Sequence, residues 1–469
     1  MTTHQVINSR NQPMLAGLFE PLTTEISVPS LEVTGELPAG LRGRFARVGP
    51  NPQFEPLGRY HMFDGDGMIH AFDLADGTAS YANRWVETPA LLAERRAGRS
   101  LYGGLGEMIF PSREDSGDAG PIKNPANTNL VRHAGKNLAL FEGGLPIEFN
   151  TDLSTVGPLT FDGKLSGAFT AHPRIDPRTG EMFAFSYQPF EPYFRVMHIN
   201  AEGALLQTTN FDRDYCHVMH DFAITENYLV FVESPLIFDL PALMAGDSAF
   251  RWDENVGTRI GLMARGGDTI DWIPAEDGYV NHFWNAWEED GEITLSGSCI
   301  LGTSYTTGTG GAADDASAEA EPGRPTQYTV NLADRTTTKT LLDDRGGDFP
   351  RINEKYIGLK NRYNTMSSFS GKADAVGHFD TITQYDTHTG TRKEWCAGPG
   401  HIVGEAVFAA DPAGSAENDG WLLMTVHDRS TGAADLAVLD ARNLSDGPVA
   451  RVHSPQRLPF GFHANWFAN

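Results

Sequence analysis

The feature that most constrains this chain is a unit of short strand, tight turn and short strand that recurs along most of its length. Asp76-Gly77 separates IHAFDL from TASYANRWV, and Asp290-Gly291 separates HFWNAWEE from EITLSGSCI. Pro177 to Gly180 precedes MFAFSY, and Asp419-Gly420 precedes WLLMTV. An Asp-Gly pair readily takes the positive φ angles of a two-residue hairpin turn, so such pairs between apolar stretches predict hairpins. Within MFAFSY, Met182, Ala184 and Ser186 alternate with Phe183, Phe185 and Tyr187, the period of a strand. Helical spacing is confined to 89–104 and to LPALMAG around 240–246. The prediction is an all-β closed array with short helices in its connections, taken as one domain over residues 1–469. No WD or kelch signature accompanies it. The stretch 303–327 is low in apolar residues and predicts a flexible surface insertion, because strand-like sequence resumes beyond it.

Charge then excludes partners. A net charge of −25 argues against nucleic acid, whose phosphates require a basic surface, and against electrostatic docking on anionic lipid. Cys216, Cys299 and Cys396 are three widely separated cysteines, which predicts reduced thiols and a cytoplasmic setting. The first residues lack the basic start and apolar run of a secretory signal, and no run approaches the ~20 apolar residues of a spanning helix.

Four of the 15 histidines share an apolar or aromatic context: His172 in FTAHPRID, His220 in HVMHDFAIT, His282 in VNHFWNAWEE and His463 in PFGFHANWF. An imidazole in such surroundings must be hydrogen-bonded, neutral or bound to metal. Taken singly, each fits a satisfied core histidine. As a set they lie 48, 62 and 181 residues apart. A seven-bladed propeller of this length would spend about 67 residues per blade, so steps of one, one and three blades could bring all four to its axis. Neutral imidazoles suit iron, copper or zinc, and ligand type alone does not choose among them. Glu142, Asp348 and Glu405 are acids in apolar settings, suited to accept the second N–H of a ligating imidazole or to stand as exposed strand ends. The DGDG of 64–67 lacks the bidentate Glu of a calcium loop, because Ala75 stands at the twelfth position, and reads as a tight turn.

Ordered blocks along the chain carry a more specific signal. LPAGLRGRFARVGPNP at 37–52 and YHMFDGDGMIHAF at 60–72 are followed by AHPRIDPRTGEMFAF, MHDFAIT, HFWNAWEE, DFPRINEKYIGLKNRY, GEAVFAADP and GFHANW. From about Pro29 to its end the chain resembles the carotenoid cleavage oxygenase family. That resemblance implies a seven-bladed β-propeller with a dome of loops and short helices over one face. It implies Fe(II) held by His172, His220, His282 and His463. Glu142, Asp348 and Glu405 would orient His220, His282 and His463, and His172 would have no such partner. The family usually carries Glu where this chain has Asp348, which is one methylene shorter, so a longer, water-mediated or differently paired contact is expected there. Thr128 lies where several members place a small residue beside an open iron position, although a strand threonine serving its own neighbourhood explains it as well.

The implied reaction is cleavage of a conjugated C=C bond by O2 to two carbonyl products. Stilbene-cleaving relatives tend to carry Lys just before the first outer acid, where this chain has Phe141, which favours a carotenoid or apocarotenoid. Tyr102 is the kind of residue that could hold a phenol, which keeps a stilbene or phenylpropanoid alkene as the alternative. Phe238, Leu240, Leu243 and Met244, in SPLIFDLPALMAGDSAF, form a candidate patch for shallow peripheral membrane contact, or else a helix that faces the core. A non-catalytic propeller that binds a partner, or an isomerase or hydrolase that consumes no O2, would use the same scaffold.

Overall fold

Two of the Asp-Gly turns form as the sequence sets them, whereas Asp419-Gly420 is a correction: Gly420 already opens the strand Gly420–Asp428, opposite Ala410, and the chain turns through the longer connection 411–419. Asp76 and Gly77 take φ of 52° and 75°, and Asp290 and Gly291 take 52° and 81°, left-handed at both central positions as a two-residue hairpin requires. A computed structural model describes residues 12–300, 322–371 and 378–469. Their strands form seven sheets of four or more strands, in sequence order around a ring, with one additional two-stranded hairpin. The array is a seven-bladed β-propeller. Blade 2 runs Asn129–His133, Lys136–Leu140, Ile147–Phe149, Thr155–Pro158, and blades 3, 4, 5 and 6 open with Arg174–Ile175, Ala223–Ile224, Tyr279–Glu289 and Gly347–Arg351.

Blades 1 and 7 close the ring. The last strand, Ala464–Ala468, pairs antiparallel with Gly43–Pro50 of blade 1, with Arg47 opposite Ala464. In exchange, Val33–Gly35 near the other end of the chain pairs with Pro448–His453 of blade 7.

The inner strands of several blades, such as Met182–Tyr187, Tyr228–Glu233 and Gly420–Asp428, are buried on both faces, which explains their nearly unbroken apolar runs. In Met182–Tyr187 of blade 3, Met182 and Ala184 pack with Leu138 and Leu140 of blade 2. Phe183 and Phe185 pack on the opposite side with Phe222, Phe231 and Met263 of blade 4. Similar clusters fill the other gaps, as where Val230 and Ile260 of blade 4 meet Ile293 and Leu295 of blade 5.

Short helices lie in the connections. Pro89–Ala97 starts with the Thr88 hydroxyl accepting the Leu91 N–H at 3.2 Å and ends at Gly98 with φ 68°. Leu240–Ala245 is capped by Asp239, which accepts the Ala242 N–H at 3.0 Å. No helix among the described residues is long and apolar enough to cross a membrane. Residues 301–321 lie outside the described residues, and most of the predicted insertion lies with them. Its end is a correction. Residues 324–327 belong to the strand Arg324–Asn331 of blade 5, with Gln327 opposite Ser296. Their polar side chains hid a period of two in which Thr326, Tyr328 and Val330 are buried.

Asp176, fully buried, ties blade 3 to blade 4. Its carboxylate accepts from the Arg178 side chain at 3.0 Å and from Arg265 at 2.5 Å. Burial pushes its carboxyl upward, but the two guanidinium groups and the Arg178 N–H outweigh that and hold it at about 2. A depressed carboxyl stabilises the fold above its unfolded value and loses that contribution as pH falls through its folded value. Asp176→Asn should therefore lower stability by about 2 kcal/mol at neutral pH, and the gap from the parent chain should shrink between about pH 4 and pH 2 in denaturant titrations.

Candidate metal centre

Four imidazoles meet at the propeller axis. His172 precedes the edge strand of blade 3, His220 precedes that of blade 4, His282 lies within that of blade 5, and His463 precedes the closing strand of blade 1. Their ligand-capable nitrogens all lie within 4.8 Å of one another. The Nε2 atoms of His172 and His220 are 3.0 Å apart, and those of His282 and His463 are 3.2 Å apart. Blade 5 reaches the axis through irregular pairing: its register shifts between Val280 and His282 and again between Phe283 and Asn285, which turns the imidazole inward.

Three carboxylates stand behind these rings. Glu142, just after the second strand of blade 2, accepts from His220 Nδ1 at 2.7 Å and from the Tyr187 hydroxyl at 2.6 Å. Asp348 of blade 6 accepts from His282 Nδ1 at 2.8 Å and from the Asn281 side chain at 2.7 Å. Glu405, between the strands His401–Val403 and Val407–Ala410 of blade 7, accepts from His463 Nδ1 at 3.0 Å and from the Ala464 N–H at 2.7 Å. Among the described residues His172 has no carboxylate partner; its backbone N–H donates to the Thr170 hydroxyl at 2.9 Å. The short Asp348 makes its contact directly, contrary to the expected longer or water-mediated one. The backbone supplies the reach, because the pairing shifts between Asp348 and Arg351 and Phe349 adopts φ 55°. A non-glycine residue held there costs on the order of 1–3 kcal/mol, which the site must offset.

The donor set fits a divalent cation. An ionised carboxylate only accepts, so Nδ1 of His220, His282 and His463 carries the proton and each Nε2 presents a lone pair. Lone pairs 3.2 Å apart repel unless a cation lies between them. Charge points the same way: the carboxylates of Glu142, Asp348 and Glu405 ring the imidazoles and favour a cation among them. Burial and the neighbouring imidazoles hold His172 well below the usual histidine value. Burial also lowers His463, against the pull of Glu405. Burial lowers His282 too, but the Asp348 charge and hydrogen bond outweigh it and raise the group. Burial works against the charge on Glu405, yet Arg351 and His463 hold it at about 2.

The cluster opens on one side into a cavity of about 890 Å³, bordered by His220, His282, His463 and many aromatic side chains, among them Phe63, Phe238, Phe349 and Phe462. Thr128 and Phe141 line it. The Thr128 hydroxyl donates to Asn127 Oδ1 at 3.0 Å, and its carbonyl accepts the His463 N–H at 3.2 Å. Tyr102 does not line it. Its ring is buried beside Ala90 and Ala93 under the first helix, and its hydroxyl donates to the Gly120 carbonyl at 3.2 Å. The four residues of the predicted apolar patch divide. Phe238, Leu240 and Met244 border the cavity, whereas Leu243 is buried against Val218, Leu236 and Tyr279. Asp64 and Asp66 are structural, as the tight-turn reading of DGDG expects. Asp64 accepts the Leu105 N–H at 2.8 Å, and Asp66 pairs with Lys123 at 2.7 Å.

The family described as retinal pigment epithelial membrane protein matches residues 19–468. The chain belongs to the carotenoid cleavage oxygenase family. Members similar to it include the carotenoid 9,10(9',10')-cleavage dioxygenase 1 of Phaseolus vulgaris, 35% identical over 96% of this chain and 88% of that protein. The carotenoid cleavage oxygenase of Mycobacterium tuberculosis is 35% identical over 99% of both chains. Among solved structures, the lignostilbene dioxygenase of Pseudomonas brassicacearum superimposes with a TM-score of 0.90 at 30% identity, covering 99% of this chain and all of that one.

Sequence reasoning missed Tyr187, Asn281 and Phe349. Tyr187 is legible as the end of the alternating MFAFSY strand, but no sequence signal marks the positive φ of Phe349. His282→Ala should abolish metal binding and leave the propeller folded, read by metal stoichiometry beside circular dichroism. Glu142→Gln should keep the fold and weaken metal affinity about 10–100-fold, since it disturbs the orientation of one ligand.

Proposed function

We propose that this protein is an Fe(II)-dependent oxygenase that cleaves a conjugated carbon–carbon double bond of a carotenoid or apocarotenoid, with O2 as co-substrate. The observation that carries this reading is a set of four neutral imidazole donors opening onto a large apolar cavity. A structural zinc site would be closed on all sides and would need no such chamber. Bound Fe(II) supplies the spin chemistry that lets triplet O2 react with a spin-paired alkene. The alkene and O2 together contain every atom of two carbonyl products, so no added reductant or proton is required.

The protein's share is position and dryness. His172, His220, His282 and His463 hold the ion, and Glu142, Asp348 and Glu405 fix three of the rings. Thr128, with its hydroxyl donated to Asn127, leaves its methyl to crowd out water beside the imidazoles. Phe141 and the other aromatic walls suit a conjugated chain. A volume of about 890 Å³ lies near the top of the range of about 300–1,000 Å³ for small-molecule sites, and a two-ring stilbene would fit it loosely. Tyr102, already bonded to Gly120, offers no phenol anchor. Similarity to the lignostilbene dioxygenase favours the second reading, cleavage of a stilbene or phenylpropanoid alkene.

Anaerobic loading with Fe(II), followed by O2 uptake and product analysis, separates these readings. Iron-dependent aldehyde from an apocarotenal alone is expected. Cleavage of a hydroxystilbene alone would move the enzyme to phenolic alkenes, and no O2 uptake with either would leave a non-catalytic binding protein.

Entry of a long polyene from lipid accounts for a second feature. Phe110, Ile122, Phe190 and Met244 are 46%, 54%, 58% and 54% exposed, and all four border the cavity. Clustered exposure of large apolar side chains is unusual on a monomer surface and suits shallow peripheral contact with one leaflet. The net negative charge points to neutral lipid. Replacing Phe190 and Met244 together by Ser should reduce co-sedimentation with phosphatidylcholine vesicles several-fold at an unchanged melting temperature. Equal sedimentation of parent and variant would remove the contact.

A further inference from the structure

Backbone ladders fix distances within a blade, whereas distances between blades rest on side chains. The four imidazoles come from four different blades, so some set of side chains must hold their spacing. Asp221, 2% exposed and directly after His220, is placed to do so. Its Oδ1 accepts the Phe222 N–H at 2.8 Å. Its Oδ2 accepts the Phe283 N–H, next to His282, at 2.8 Å, and the Arg174 guanidinium, two residues after His172, at 2.5 Å. Arg174 also donates to the Phe222 carbonyl at 2.7 Å. One carboxylate therefore links the strands of blades 3, 4 and 5 within two residues of three ligands.

Blades 1, 2 and 6 continue this belt. Asn465, two residues after His463, donates to Asn129 Oδ1 of blade 2 at 3.0 Å and accepts from Arg351 of blade 6 at 2.7 Å. Asn129 in turn donates at 2.8 Å to the carbonyl of Ala171, the residue before His172. The His282–Asp348 pair spans blades 5 and 6.

We propose that Asp221 is a positioning residue for the metal centre, setting the mutual spacing of His172, His220 and His282 without touching the ion. The inference rests on the metal reading of the four histidines. Ligand sets work only when held within about 0.5 Å of the required geometry, so loss of Asp221 should loosen the site rather than empty it. Cobalt(II) is a suitable probe, because its visible spectrum reports ligand geometry independently of turnover.

Asp221→Asn puts an amide N–H₂ against donors and should weaken cobalt binding about 10–100-fold with an altered spectrum. Arg174→Lys, which keeps the charge and loses the planar fork, should shift both readouts in the same direction in a folded protein. Glu233→Gln is the control. Glu233, in the second strand of blade 4, is a buried carboxylate bonded to Arg213 of the connection from blade 3 at 2.9 Å and to Arg259 of the third strand at 2.6 Å. It should lower the melting temperature and leave cobalt affinity and spectrum as in the parent. If Asp221→Asn and Arg174→Lys bind cobalt with the parent's affinity and spectrum, Asp221 only packs blades and the proposal is overturned. If the parent itself binds no cobalt, the metal reading fails first and this inference falls with it.

Discussion

Pairing between Ala464–Ala468 and Gly43–Pro50 joins the two ends of the chain, and the chemistry at the axis depends on it. That strand delivers His463, the ligand farthest in sequence from the others. Blades 1, 3, 4 and 5 supply the imidazoles, and blades 2, 6 and 7 supply the carboxylates behind them. Every blade contributes one group, so no fragment of the ring contains a complete site. A cation that binds only the closed ring must then stabilise closure by mass action, and metal affinity and fold stability become linked quantities.

The same contacts would be liabilities without that cation. Buried carboxylates and imidazoles are costly when unpaired, and partial satisfaction is the worst case. Here each acid has both oxygens engaged, by Tyr187 and His220, by Asn281 and His282, or by Ala464 and His463. What stays unbalanced is the inward-facing lone pairs of the imidazoles. Strain at Phe349 belongs to this account, since its positive φ aims the short Asp348 at His282 and sets the Phe349 ring 5.2 Å from the His463 ring. A backbone in that conformation persists where surrounding contacts over-determine it, and the Asp348 hydrogen bonds with the packing of Phe349 on His463 and Phe379 supply them.

Much of this was legible because it follows from local chemistry. Asp-Gly turns, the alternation in MFAFSY and the apolar surroundings of four histidines all report on a few neighbouring residues. The spacing of 48, 62 and 181 residues became one, one and three blades because the blades are similar in length. Failures came where tertiary contacts decide. Tyr102 and Gly103 are adjacent, yet only the glycine borders the cavity, because the Tyr102 ring is taken up by Ala90 and Ala93. Leu243 and Met244 are likewise adjacent and face core and solvent respectively. Residues 324–327 were read as insertion from their polarity, although polar side chains on alternate positions suit a strand whose other face is buried. Asp221 in the MHDFAIT block carries no local signal, because nothing in the neighbouring sequence shows that its partners are Arg174 and Phe283.

Separation between axis and dome explains how one scaffold serves different alkenes. The four imidazoles and the carboxylates behind them sit on or beside blade strands, fixed by ladders, inter-blade packing and the hydrogen bonds of Asp221. The cavity walls come largely from connections, such as residues 103–110, 121–125, 238–250 and 460–462. Most of those segments lie outside the ladders of the ring, so their side chains can change without moving an imidazole; 460–462 is the exception, since the Phe462 N–H donates to the Val48 carbonyl at 3.1 Å beside His463. A low-dielectric wall would also strengthen every electrostatic contact of a cation held by the imidazoles and keep water from competing for it. Reactivity is thus a property of the ring, and substrate choice is a property of the loops packed over it.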